Sequence, residues 1–188
     1  MAFHKLQTSL PDVIKLQPDV FGDDRGFFLE LHNANAFQEI GLGQLHFVQD
    51  NLSSSTKGTL RGLHFQAPPY DQGKLICPLV GKVLDVAVDI RKDSPTYGQV
   101  MVEELDASTR TMIYIPPGFA HGFQVLSDEC LFFYKCTNVY HKASEGGLAW
   151  DDPELAIPWR EIEPIMSEKD LYHPTLAEFS SPFDYVSL

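Results

Sequence analysis

Thirteen glycines and thirteen prolines cut the chain into short segments, and this punctuation constrains the fold more than any other feature. Both residues interrupt regular structure, glycine by its backbone freedom and proline by its fixed φ and missing N–H. The chain therefore reads as all-β. The clearest period of two runs over 83–90, with Leu84, Val86, Val88 and Ile90 on one side and Val83, Asp85, Ala87 and Asp89 on the other. Val80-Gly81-Lys82 reads as a tight turn before it. Further strands are expected at 26–31, 45–53, 59–66, 74–79, 99–105, 111–115, 121–126 and 131–139. About nine strands at this spacing suit a sandwich or jelly roll. Helix is scarce: 35–40 reads as a short one stopped by Gly41. Ser167-Glu168-Lys169-Asp170 opens a turn after Pro164, and the tail over 174–188 is expected to pack on the outside.

With 188 residues, the expectation is one domain with a full core and an irregular tail from about 164. No apolar run approaches the roughly 18 residues of a membrane helix. The stretch Met1-Ala2-Phe3-His4-Lys5 lacks an apolar signal core, which points to the cytoplasm. Cys77, Cys130 and Cys136 have no metal-type spacing and read as reduced structural thiols. The net charge of −12 opposes nucleic acid and acidic membranes. Any anionic ligand must then be held by locally placed cations, which singles out Arg25, Arg61, Lys74 and Lys169.

Gly58-Thr59-Leu60-Arg61-Gly62-Leu63-His64-Phe65-Gln66 places a permanent cation three residues before an imidazole in an apolar run. A buried guanidinium needs an anion nearby, and histidine takes or gives a proton near neutrality. The competing reading is a core histidine beside a salt-bridged arginine. Strand side chains alternate faces, so Arg61 and His64 reach one cavity only if the strand is bulged or twisted between them. Gly62 permits that. In Pro116-Pro117-Gly118-Phe119-Ala120-His121-Gly122-Phe123, prolines and a glycine fix a turn and His121 starts the next strand.

These two motifs, with Gly81, resemble the paired motifs of the cupin superfamily, a double-stranded jelly roll. Metal-binding cupins carry His-x-His and a downstream glutamate, whereas this chain reads His64-Phe65-Gln66-Ala67-Pro68-Pro69. Only His64 and His121 remain, which speaks against a metal site. The ordered set Asp24-Arg25-Gly26-Phe27-Phe28-Leu29-Glu30, Gln49-Asp50-Asn51, Leu60 to Gln66, Asp85 to Arg91, Pro117 to Phe123, Tyr134-Lys135 and Ser167 to Asp170 resembles the dTDP-4-dehydrorhamnose 3,5-epimerase family over roughly residues 3 to 175.

That resemblance implies a homodimeric isomerase that needs no cofactor and acts on a nucleoside-diphosphate 4-keto-6-deoxyhexose. It implies His64 as base, Asp170 as the carboxylate that orients it, Tyr134 as the acid on the opposite face and Lys74 near the ketone oxygen. It also implies Arg25, Arg61 and Lys169 on the diphosphate, His121, Gln49, Asn51 and Glu145 as further contacts, and Tyr140 stacked on the thymine. Phe28 and Glu30 are expected to share a strand face and to reach the neighbouring subunit's nucleotide. Duller readings compete: a capping box for Asp170, a core aromatic for Tyr134, a turn cap for His121 and solvated surface groups for the rest. Leu52, the aspartate in Trp150-Asp151-Asp152-Pro153 and Gly73 depart from the family pattern and leave open which sugar fits and whether both carbons invert. The alternatives are a single-carbon epimerase, a metal-dependent cupin and a non-catalytic nucleotide-sugar binder.

Overall fold

The computed structural model describes residues 2–186 and contains thirteen strands, one short α-helix and two 3₁₀ turns. The strands are β1 (Phe3–Leu6), β2 (Ile14–Pro18), β3 (Phe21–Asp23), β4 (Gly26–Phe28), β5 (Gln49–Thr56), β6 (Leu60–Gln66) and β7 (Lys74–Val80). They continue with β8 (Lys82–Asp89), β9 (Val100–Asp106), β10 (Met112–Ile115), β11 (Phe119–Val125), β12 (Glu129–Cys136) and β13 (Glu145–Gly147). Helix α1 covers Ala34–Glu39, and the 3₁₀ turns cover Lys142–Ser144 and Glu168–Leu171.

Two antiparallel sheets face each other: six strands in the order β1-β2-β10-β7-β12-β5, and five in the order β13-β6-β11-β8-β9. Strands β3 and β4 form a separate ribbon. The expected jelly-roll sandwich is thus the observed class. Its interior is filled by residues such as Ile76, Val83, Ala87, Ile113, Phe119, Phe123 and Phe132. Helix α1 covers the outer face of the six-stranded sheet, where Phe37 packs with Phe3, Leu16, Leu75, Cys77 and Met112. The tail covers the outer face of the other sheet through Leu176, Phe179 and Phe183, packed with Phe65, Val86 and Val88. Because both faces of β8 are covered, its two sides are both apolar past the leading Lys82, interrupted by Asp85 and Asp89. Asp89 is satisfied by Arg91, Ser94 and Thr96.

Several expected boundaries move. Residues 45–48 are not strand: Leu45 and Phe47 pack into the cluster around α1, and β5 begins at Gln49. The segment 26–31 is strand only to Phe28, so Glu30 lies outside it and does not share a strand face with Phe28. Strand β12 ends at Cys136 rather than 139. Helix α1 starts one residue early because Asn33 caps it, accepting from the N–H groups of Asn35 and Ala36. Gly41 then follows at φ +75°, the stop that was expected. The turn at Gly81 is also as expected, with φ +82° between β7 and β8.

Candidate active site

Strand β6 carries the feature that assembles the site. Leu63 and Phe65 point outward into the tail-covered cluster, so His64 points into the sandwich. Arg61 would follow Leu63 outward if the alternation continued. Instead His64 pairs with His121 and Arg61 pairs with Phe123, so three steps on β6 match two on β11. The extra residue returns Arg61 to the inner face. Gly62 sits in this bulge at φ +123°, where a Cβ would lie 2.5 Å from the Cα of Gly122. The conditional reading of Arg61 and His64 as one site is therefore met.

A cavity of about 520 Å³ opens here, lined among others by Arg61, His64, Lys74, His121, Tyr134, Glu145, Lys169 and Asp170. His64 and His121 come from the five-stranded sheet, whereas Lys74 and Tyr134 come from the six-stranded sheet. The imidazole and the phenol thus enter one cavity from opposing layers. The layers touch at its floor, where the rings of Phe123 and Phe132 stack with centroids 4.3 Å apart. A second cavity of about 330 Å³ shares His64, Lys74, Tyr134 and Glu145 and adds Gln49, Asn51 and Tyr140.

Two histidine–carboxylate pairs face the larger cavity. His64 Nε2 donates to Asp170 Oδ1 at 2.6 Å, which leaves Nδ1 free to take a proton. Asp170, 2 % exposed, is delivered by the 3₁₀ turn Glu168–Leu171. Burial raises the carboxyl's pKa, but the His64 hydrogen bond and charge outweigh it and hold it below the usual carboxylate range. Ser167 makes no side-chain cap hydrogen bond, so the capping-box reading does not hold. His121 Nε2 donates to the fully buried Asp85 at 2.8 Å, whose Oδ1 has no partner. The pairing explains a carboxylate inside β8.

Around these pairs lie the cations. Burial pulls the Lys74 ammonium below the usual lysine range, opposed by Cys136, Asp85 and Glu145. Lys169 pairs with Glu145 at 2.6 Å, and Arg61 donates to Ser55 Oγ through Nε and Nη2. Burial pushes the Tyr134 phenol up, against Arg61 and Lys169, so it holds its proton at neutral pH. Gln49 donates to Asn51 Oδ1 at 3.0 Å and accepts from the N–H of Tyr140 at 2.8 Å, while the Tyr140 hydroxyl donates to Glu145.

Arg25, Phe28 and Glu30 do not join either cavity within this chain. Arg25, with its side chain 90 % exposed, pairs with Asp23 at the ribbon turn. Phe28 is 59 % exposed beside an apolar groove with Phe27, Leu79 and Arg110. Glu30 accepts from Asn33 Nδ2. The residues departing from the family pattern also stay out. Leu52 is exposed, as is Asp151, while Asp152 accepts backbone N–H groups of Glu154, Leu155 and Leu176. Gly73 gives room to Tyr114, whose hydroxyl would lie 2.5 Å from a Cβ there.

Sequence reasoning gave no site role to Asp85 or His173. An acid in an apolar strand was the available signal for Asp85; His173 gave none. Among the described residues, the donor set able to approach a metal is His64, Asp170 and His173, with ligand atoms within 4.8 Å of one another. Asp170 Oδ1 is already engaged by His64. The arrangement suits proton transfer at a carbon flanked by a polarised carbonyl: a base with its counter-carboxylate, an acid opposite and a cation on the acid's side of the cavity.

Residues 7–178 match the family model described as dTDP-4-dehydrorhamnose 3,5-epimerase. The chain is 51 % identical over 166 residues to the Shigella flexneri dTDP-4-dehydrorhamnose 3,5-epimerase, covering 88 % of this chain and 92 % of that one. It is also 39 % identical over 166 residues to a dTDP-4-dehydrorhamnose 3-epimerase of Streptomyces niveus, covering 88 % and 80 % respectively. The crystal structure of dTDP-6-deoxy-D-glucose-3,5-epimerase from Legionella pneumophila, in complex with dTDP-4-keto-L-rhamnose, superposes with a TM-score of 0.93 at 42 % identity, covering 98 % of this chain and all of that one.

Proposed function

The chain belongs to the dTDP-4-dehydrorhamnose 3,5-epimerase family, and from that premise we propose that it converts dTDP-4-dehydro-6-deoxy-D-glucose to dTDP-4-dehydro-L-rhamnose by inverting C3 and C5. The observation that carries this reading is that His64 and Tyr134 face one cavity from opposite sheets. The hydrogens at C3 and C5 flank the ketone and leave as protons. His64 Nδ1 removes each, and Asp170, held ionised, stabilises the imidazolium. Lys74 stabilises the enolate oxygen as charge develops there. The Tyr134 phenol then returns a proton to the other face, which inverts the carbon, and exchange with solvent deprotonates His64 and reprotonates Tyr134 before the second carbon.

Incubation with this substrate in D₂O, followed by NMR, should place deuterium at both C3 and C5. Retention of both protons would refute the reading. The similarity to a 3-epimerase favours one alternative, inversion at a single carbon, and exchange at C3 or C5 alone would select it.

Arg61 and Lys169, at the cavity wall, hold the diphosphate in this reading, and Gln49, Asn51, Tyr140, Glu145 and His121 contact the rest of the ligand. Arg61→Ala should weaken dTDP binding by about tenfold to a hundredfold, the size of a lost charge-assisted hydrogen bond. Calorimetry at low and high salt should show that loss shrinking as salt screens the charge. We further propose a cytoplasmic homodimer in which the β3–β4 ribbon meets the partner's nucleotide. Supporting this are the exposed Phe21, Phe27 and Phe28 on the ribbon and the distance of Arg25 and Glu30 from their own chain's cavity.

A further inference from the structure

His173 lines neither cavity wall, yet it sits against the proton-transfer pair. Its Nε2 is buried, has no hydrogen-bond partner and stands 3.9 Å from Asp170 Oδ1, the oxygen that His64 also uses. Its ring meets the His64 ring edge to face, with centroids 5.7 Å apart and planes at 80°. Room for it exists because Gly147, the residue on β13 paired with His64, has no side chain. A Cβ there would lie 2.6 Å from His173 Nε2. A carboxylate only accepts hydrogen bonds, so a buried nitrogen facing it is favourable only as N–H. Leaving such a group short of a full hydrogen bond has a cost.

We propose that His173 is a positioning residue for the catalytic pair: its Nε2–H draws on the same oxygen of Asp170 that His64 uses and so loosens the hold of His64 on a proton. The proposal rests on His64 being the base. The charged and titratable groups facing His173 are His64 from β6, Asp170 and Lys169 from the 3₁₀ turn, and Glu145 from β13. Burial, then the positive charges of His64 and Lys169, push the proton affinity of His173 down, against the pull of Asp170 and Glu145. Beside the ionised Asp170, His173 is thereby held toward its neutral form. A base that releases its proton readily is reset sooner for the second carbon.

The test is the pH dependence of kcat/KM for substrate isotope exchange in the parent enzyme, His173→Phe and His173→Gln. Phenylalanine keeps a ring edge against His64 and removes the donor, whereas glutamine restores a donor. The acid limb should move up by about half a pH unit in His173→Phe, a roughly threefold tighter hold on the proton, with KM little changed. It should return toward the parent in His173→Gln. An unmoved limb in His173→Phe, or an equal shift in both variants, would overturn the proposal. In the unaltered protein at pH 8, ¹⁵N NMR should find His173 as the Nε2–H tautomer, and an Nδ1–H tautomer would overturn it without any variant. Exchange that persists in His64→Ala would instead remove the premise, which separates the two failures.

Discussion

His64→Ala is expected to cut turnover by about 10²–10⁴-fold, the usual contribution of a positioned general base, while leaving dTDP affinity nearly unchanged. Both acidic carbons flank the same ketone, so one imidazole serves both and its loss removes both exchanges. Asp170 is a poor substitute, because it is 2 % exposed and, as a carboxylate, a weak base. The groups assigned to the diphosphate, Arg61 and Lys169, bond to Ser55 and Glu145 rather than to His64, so they keep their positions in the variant. Steady-state kinetics and dTDP calorimetry measured on one preparation separate the two effects. A large fall in affinity would make His64 a ligand contact instead of the base.

Gly62→Ala should damage fold and function together. At φ +123° an alanine carries backbone strain of about 1–3 kcal/mol. Its Cβ would also lie 2.5 Å from Gly122 Cα and 2.8 Å from the His121 carbonyl oxygen. Neither is a flexible tip, so β6 and β11 must separate. A total loss of about 3 kcal/mol or more is expected, in the range reserved for named steric faults, and thermal unfolding would read it. Because the bulge alone returns Arg61 to the inner face, the surviving folded fraction should also bind dTDP more weakly than the parent. A variant with parental melting temperature would show that β6 accommodates the methyl group and that the bulge does not depend on glycine.

The all-β class and the paired motifs were legible because they rest on local patterns: breakers at short intervals and a strong alternation at 83–90. Strands β1, β2, β3 and β13 were not. Phe3–Leu6 carries one buried residue among four, and Glu145–Gly147 contains two glycines, so side chains supply little pattern and pairing with a neighbour makes the strand. Strand β2 alternates Ile14, Leu16 and Pro18 against Lys15 and Gln17, but at five residues ending on a proline the pattern is too short to stand out from its surroundings. The bulge at Gly62 could be named as a condition but not established, because register between β6 and β11 is a tertiary property. The same holds for Asp85 and His121, thirty-six positions apart and joined only across strands. Arg25, Phe28 and Glu30 were recognised by motif, and a single chain leaves them away from its own cavity.

The stacked pair Phe123 and Phe132 has a bearing on how such an enzyme can change over time. The distance across which proton donor and acceptor work is set by how thick the sandwich is, and that thickness is a property of interior packing. Trimming or enlarging a ring in the floor alters reach at the sugar even though it touches no reacting atom. Selection on sugar shape and selection on core packing therefore act through the same side chains, and neither can drift far without the other.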